Sequence, residues 1–195
     1  MTRVPPGRNV TGVSDVSGDR VATEGPPPAG TPVPRARARW PLLLGTAALV
    51  LALDQLTKWW AVEVLDTRSI DLVGSLRLRL TINYGSAFSL ADGRGPLISL
   101  LAIVIVIILL RSGRHATSPA IAITIGMVLG GAVGNLLDRA FRAGEGFLGG
   151  GVVDFVDLQW WPVFNLADSA IVVGAIGLFL LQWQDDDKAG AERPA

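Results

Sequence analysis

"WPLLLGTAALVLALDQLTKWWAVEV", residues 40–64, is an apolar run of bilayer length with an acid, Asp54, and a base, Lys58, set inside it. A helix that crosses the hydrocarbon core needs about 20 predominantly apolar residues. This stretch supplies them, and its tryptophans, Trp40, Trp59 and Trp60, fall toward its two ends, where indole rings favour the membrane–water interface. The run therefore predicts a first membrane span, and the chain divides around it.

Three further runs approach the same length: roughly 95–110, 119–137 and 163–183. The second is the shortest, but "LISLLAIVIVIILL" is unbroken and is flanked by Arg111 and Arg114. Trp160, Trp161 and Trp183 also lie at span ends. Arg35, Arg37 and Arg39 precede the first span, and Arg111 and Arg114 occupy the short link between the second and third. The rule that cytoplasmic flanks are rich in Lys and Arg then places both termini in the cytoplasm. The opposing loops carry Arg68, Arg77, Arg79, Arg94, Arg139 and Arg142, so the bias rests on charge density in the short flanks.

Composition agrees. Half of the 195 residues are hydrophobic, mean hydropathy is positive and the formal net charge is zero, a balance too apolar for a typical soluble domain and without the basic stripe that nucleic-acid binding needs. The absence of cysteine excludes disulfides and thiol nucleophiles. His115 cannot build a metal site alone, and nothing in the spacing of the acids demands a carboxylate-only one, so no cofactor is expected. Residues 1–39 hold seven of the twelve prolines and no hydrophobic period, and no secretory signal features lie near Met1. They read as a disordered cytoplasmic tail before a four-span domain over 40–184, with a second cytoplasmic tail over 185–195.

Outside the spans, "SLRLRLTIN", residues 75–83, alternates Leu76, Leu78, Leu80 and Ile82 with Arg77, Arg79, Thr81 and Asn83, the period of a strand with one apolar face. This predicts a small sheet on the outer membrane surface within about 66–92. The second outer loop, 139–162, is rich in glycine (Gly144, Gly146, Gly149, Gly150, Gly151), as an ordinary loop or a mobile flap would be.

Ionisable residues inside a span are functional candidates by default. Asp54 and Lys58 stand four apart, acid first, the favourable order for an ion pair on one helix face. A purely structural pair would let Lys58 snorkel past Trp59 to the interface. In "GGAVGNLLDR" Asn135 and Asp138 share a face, with Arg139 able to neutralise or orient Asp138. Gly126, Gly130 and Gly134 form a small-residue ridge suited to close helix approach. "FNLADSA" repeats the spacing with Asn165 and Asp168, about a turn into the fourth span and with no Lys or Arg within a helical turn. An unpaired carboxyl there would resist ionisation. Asp154 and Asp157 in "GVVDFVDL" sit just before that span, and by spacing either could partner Asp168. Two carboxyls held close share a proton, which suits them to activate water with one member and protonate a carbonyl oxygen with the other.

These residues fall into blocks that resemble the lipoprotein signal peptidases (signal peptidase II), aspartic proteases of the bacterial cytoplasmic membrane. The blocks are "DQLTK" (54–58), "NYGSAFS" (83–89), "GNLLDR" (134–139), "VVDF" (152–155) and "FNLADSA" (164–170), in the family's order between about Trp40 and Trp183. The resemblance implies a mainly α membrane protein of four transmembrane helices with a small extracytoplasmic β-cradle. It implies removal of signal peptides from diacylglyceryl-modified prolipoproteins by cleavage before the lipidated cysteine, near the outer leaflet and among membrane lipids. It assigns catalysis to Asp154 and Asp168 and substrate-binding or supporting roles to Asn83, Gly85, Asn135, Asp138, Arg139 and Asn165. Asp54 and Lys58 become a structural ion pair of the first span. The link 139–152 is longer, and 154–164 shorter, than the family pattern.

Two rival readings use the same residues. Lys58 could serve as base for Ser86, Ser89 or Ser169 in a Ser/Lys membrane peptidase, or Asp168 could be the proton relay of a small transporter subunit. His115, on the cytoplasmic side, argues against a Ser-His-Asp triad.

Overall fold

The structure is a computed structural model and describes residues 39–85, 95–116, 118–144, 146 and 148–191. The expected tail up to residue 38, Ser86 and Ser89 lie outside the described residues. In chain order the elements are α1 (Trp40–Leu65), β1 (Ile70–Val73), β2 (Leu76–Asn83), α2 (Gly95–Ser112), a 3-10 turn (Gly113–His115), α3 (Pro119–Phe141), β3 (Val152–Asp157) and α4 (Leu166–Ala191). Among the described residues four helices are long and apolar enough to cross a membrane: Trp40–Leu65, Gly95–His115, Pro119–Phe141 and Leu166–Gln184. The chain is a multi-pass membrane protein. Large apolar side chains such as Leu100, Leu101, Ile107 and Ile108 of α2 are exposed, as lipid-facing side chains are.

Proline opens both α1 and α3, where its missing N–H would have no helical partner. α3 is the central helix, packed between α1 and α4. Its glycine ridge makes this possible. A Cβ on Gly126 would lie 2.6 Å from the Leu43 carbonyl oxygen, and one on Gly130 would lie 2.5 Å from that of Ala47. Leu43, Ala47, Ala122, Ile125 and Leu129 pack where the two helices meet. At this end the Arg39 N–H donates to the Ala116 carbonyl at 3.0 Å, which joins the start of α1 to the α2–α3 link.

The opposite end carries an antiparallel sheet in the order β1-β2-β3. Gly74, at φ 57°, sits in the short link between β1 and β2, a conformation that suits glycine. β2 pairs with β3 so that Thr81 faces Asp154 and Asn83 faces Val152. Val153 and Phe155 pack on Ala61 and Leu65, seating the sheet on the end of α1.

The expected strand over 75–83 is present as β2, but 139–162 is not a simple loop. Arg139 lies in the last turn of α3, and β3 fills the middle. The glycines there serve close packing more than mobility: Gly150 and Gly151 are buried, and a Cβ on Gly150 would meet the carbonyl oxygens of Asp138, Arg139 and Arg142. α4 begins three residues later than the expected span and runs on to Ala191, so 185–191 continue the helix where a separate tail was expected.

Candidate active site

The late start of α4 decides the geometry of its acid. Asn165 caps the helix: its side-chain oxygen accepts the Asp168 N–H at 2.9 Å, while Asp168 Oδ2 accepts the Asn165 N–H at 3.1 Å. This reciprocal pair is a capping box. The three-residue spacing of Asn165 and Asp168 thus reflects a helix N-terminus, where the sequence suggested a shared face one turn further in. Asp168 is not unpaired either, for its Oδ1 accepts the Asn135 side-chain N–H at 2.8 Å. Another first-turn donor of α4, the Ala167 N–H, is taken by Asp54 of α1 at 2.9 Å.

Asp154 approaches from β3 and is buried. Its Oδ1 accepts from Asn165 Nδ2 at 2.7 Å and its Oδ2 from Asn83 Nδ2 at 3.0 Å. Asn165 therefore donates to both acids, through its side chain to Asp154 and through its backbone to Asp168. Burial pushes the Asp154 carboxyl up from 3.8 to about 6. The Asn83 hydrogen bond opposes that rise, the nearby Asp168 charge adds to it, and the Asn165 hydrogen bond and the Lys58 charge oppose it.

Each asparagine is held by its oxygen so that its NH2 group turns toward a carboxyl. The Gly85 N–H fixes Asn83 Oδ1 at 2.9 Å, with Gly85 at φ 107°, a left-handed conformation that favours glycine. The Asp168 N–H fixes Asn165 Oδ1, and Lys58 Nζ fixes Asn135 Oδ1 at 2.8 Å. Among the described residues no Lys, Arg or His nitrogen forms an ion pair with Asp154 or Asp168.

Lys58 does not snorkel. It is fully buried, 2.9 Å from Asp54 Oδ2 and 3.0 Å from Asp138 Oδ2. Asp138 takes its second cation from Arg142 at 2.8 Å, one helical turn on, and not from its chain neighbour Arg139. Arg139 instead lines a cavity of about 290 Å³ together with Asn83, Gly85, Asn135, Asp154 and Asp168, and its Nη1 is buried without a hydrogen-bond partner among the described residues.

Asp157, the other sequence candidate, points elsewhere. Its Oδ2 meets Arg79 Nε at 3.1 Å and its Oδ1 accepts the Gln159 N–H at 2.8 Å. Two polar groups escaped the sequence reading. Gln55 Nε2 donates to Asp54 Oδ2 and to the Gly134 carbonyl, both at 3.2 Å. Thr81, across the ladder from Asp154, has a buried hydroxyl without a partner among the described residues. Its place on the polar face of β2 beside Asn83 was the available signal.

Comparison with known proteins bears on what this cavity belongs to. A family model described as signal peptidase (SPase) II matches residues 46–184. The chain belongs to the signal peptidase II family. It is 46% identical over 183 residues to the lipoprotein signal peptidase of Rhodococcus jostii (strain RHA1), covering 93% of this chain and 89% of that one. With the lipoprotein signal peptidase of Mycobacterium avium (strain 104) it shares 44% over 174 residues, 86% of this chain and 95% of the relative. Two solved structures, each described as a bacterial membrane enzyme structure by the in meso method, share the fold. One, at 2.3 Å resolution, has a TM-score of 0.67 at 23% identity over 82% of this chain and 98% of that one. The other, at 1.9 Å, has a TM-score of 0.66 at 24% identity over 77% and 97%. Membership of a signal peptidase family does not favour a transporter subunit. A serine–lysine pair is disfavoured on geometry as well: all three Lys58 hydrogens have acceptors, and the Ser169 hydroxyl donates to the Asn165 carbonyl at 3.1 Å.

Proposed function

We propose that the chain removes signal peptides from diacylglyceryl-modified prolipoproteins as an aspartic endopeptidase, with Asp154 and Asp168 as the catalytic pair. The observation that carries the reading is the shared donor. Asn165 holds one oxygen of each carboxyl, with no basic side chain paired to either acid among the described residues. Asp154 is buried and Asp168 half-buried, and two carboxyls held by one donor in this way are suited to share one proton.

Asp154, raised to about 6 mainly by burial, is the better proton donor of the two and takes the acid's role. Asp168, held by Asn135 and the Asn165 N–H, takes the base's role. Asp168 takes a proton from a water molecule as the water oxygen bonds to the scissile carbonyl carbon, and Asp154 gives its proton to the carbonyl oxygen. Collapse of the resulting tetrahedral diol breaks the C–N bond. The amine leaves with the proton held by Asp168, and a diol hydroxyl returns its proton to Asp154. Arg139, with an unused buried donor in the same cavity, offers a charged hydrogen bond to a substrate carbonyl. Asn83 and Gly85 border the cavity from the sheet side.

The surroundings suit a lipid-anchored substrate. An apolar groove of about 480 Å³, lined by Trp160, Trp161, Phe164, Val172 and Val173, also reaches Asp168. Each buried methylene of an acyl chain contributes about 0.8 kcal/mol to keeping the substrate at the membrane. We place the protein in the bacterial cytoplasmic membrane, with both termini and Arg39, Arg111 and Arg114 on the cytoplasmic side and the acids near the outer leaflet. The positive-inside bias supports this orientation, and the sheet and acids lie at the end of the bundle opposite Arg39.

The test is processing of a diacylglyceryl-modified prolipoprotein by Asp154→Asn and Asp168→Asn, each reconstituted in membranes and checked for folding. Both variants should insert normally and leave the precursor uncut. Retention of wild-type processing by either would remove that residue from the pair and with it this mechanism.

A further inference from the structure

The sequence suggested a local role for Lys58, as one half of an ion pair stabilising α1. Its surroundings are more specific than that role needs. An ion pair is complete with one acceptor, yet the Lys58 ammonium meets three within 3.0 Å: Asp54 Oδ2, Asp138 Oδ2 and Asn135 Oδ1. A lysine ammonium has three N–H donors, so every one is used.

What those three acceptors hold is the decisive point. Asp54 accepts the N–H of Ala167, the residue immediately before Asp168. Asp138 accepts the N–H of Val153, the residue immediately before Asp154, at 3.1 Å. Asn135 donates directly to Asp168. One buried cation thus governs the backbone on the N-terminal side of both acids and the direction of an amide that bonds one of them. The acids come from different elements, β3 and α4, so no local interaction could set both.

We infer that Lys58 is a positioning residue for the catalytic pair, acting through Asn135, Asp54 and Asp138. This rests on the reading in which Asp154 and Asp168 perform hydrolysis. An amide can present either its oxygen or its NH2 group to a neighbour. With Lys58 on Asn135 Oδ1, the NH2 group faces Asp168. Without the ammonium that oxygen keeps only the Asn165 Nδ2 donor at 3.1 Å, and an amide that turned would present its oxygen to Asp168 and repel the carboxylate. Asn165 Nδ2, at 3.1 Å from Asn135 Oδ1, extends the same alignment to the donor on Asp154.

A simple Lys58→Met change would strand two buried carboxylates and could unfold the protein for that reason alone. The informative variant is Lys58→Met/Asp54→Asn/Asp138→Asn, which removes those charges while leaving acceptors for the Ala167 and Val153 N–H groups. Its kcat and KM on a diacylglyceryl-modified prolipoprotein, and its thermal unfolding, are compared with wild type and with Asp168→Asn. The expected result is near-wild-type unfolding and KM with kcat lower by about 10- to 100-fold, the scale on which small misplacements of reacting groups act. Wild-type kcat in a folded triple variant overturns the inference. If the triple variant does not fold, Asn135→Asp reads the same alignment, because it keeps the acceptor for Lys58 and removes the donor to Asp168. Loss of kcat at unchanged KM supports the inference, and wild-type kcat overturns it. Processing by Asp168→Asn at the wild-type rate would instead overturn the catalytic pair itself, so the two failures are distinguishable.

Discussion

Replacing Asp154 by asparagine should make the protein inactive and, at alkaline pH, more stable. The carboxyl is raised from 3.8 to about 6, chiefly because burial disfavours its charge. That difference corresponds to about 3 kcal/mol between the protonated and ionised forms. A group whose folded value is raised contributes stability that is present below its unfolded value and lost as pH rises through the folded one. The wild type should therefore lose up to about 3 kcal/mol between roughly pH 4 and pH 8 from this residue, whereas asparagine does not titrate. Asparagine can still accept from Asn165 Nδ2, but its own NH2 group would confront that of Asn83, a loss of about 1 kcal/mol. The variant should thus be more stable by about 2 kcal/mol at about pH 8 and should hold no advantage at about pH 4. For a chain of this size 2 kcal/mol is a Tm increase of roughly 4–8 °C. Tryptophan fluorescence during thermal unfolding in detergent, at both pH values, reads it directly. A gap between variant and wild type that does not change with pH would show that burial does not raise the Asp154 carboxyl.

Two further substitutions test the packing and the cavity. Gly130→Ala would place a Cβ 2.5 Å from the Ala47 carbonyl oxygen and should destabilise by about 1–3 kcal/mol. Gly45→Ala on α1, with nothing within 4 Å of its Cβ, should instead gain about 0.5–1 kcal/mol. Equal effects in thermal unfolding would contradict the α1–α3 contact. Arg139→Gln should lower kcat/KM for prolipoprotein by about 10²-fold if its free guanidinium donor meets a substrate carbonyl. Steady-state kinetics with unchanged constants would exclude that role.

The helices were legible because bilayer-length apolar runs have few alternative readings, and β2 because one of its faces is polar. β3 was not, because Val152–Phe155 is buried throughout, which erases alternation. In the site, the residue types were readable but their directions were not. Arg139 follows Asp138 in the chain, yet successive residues of a helix point about 100° apart, so the base one turn on, Arg142, makes the pair. Whether Lys58 turned outward to the interface or inward to the bundle depended on the rotation of α1 against α3, which the glycine ridge sets through contacts remote in sequence. Asn165 and Asp168 were read as neighbours on a helical face because the start of α4 lay three residues beyond the end of the expected boundary's signal, in a capping box that the same spacing also encodes.

The bond from the Ala167 N–H to Asp54 spans 113 positions of the chain. It closes the start of the last helix with a side chain from the first. During synthesis, then, the site cannot be completed piecemeal: a chain that has inserted α1 to α3 still lacks Asp168, and α4 finishes its first turn only by docking on the oldest part of the molecule. On the proposed mechanism hydrolytic competence arrives with the final helix, so an unfinished or mispaired chain cannot cleave.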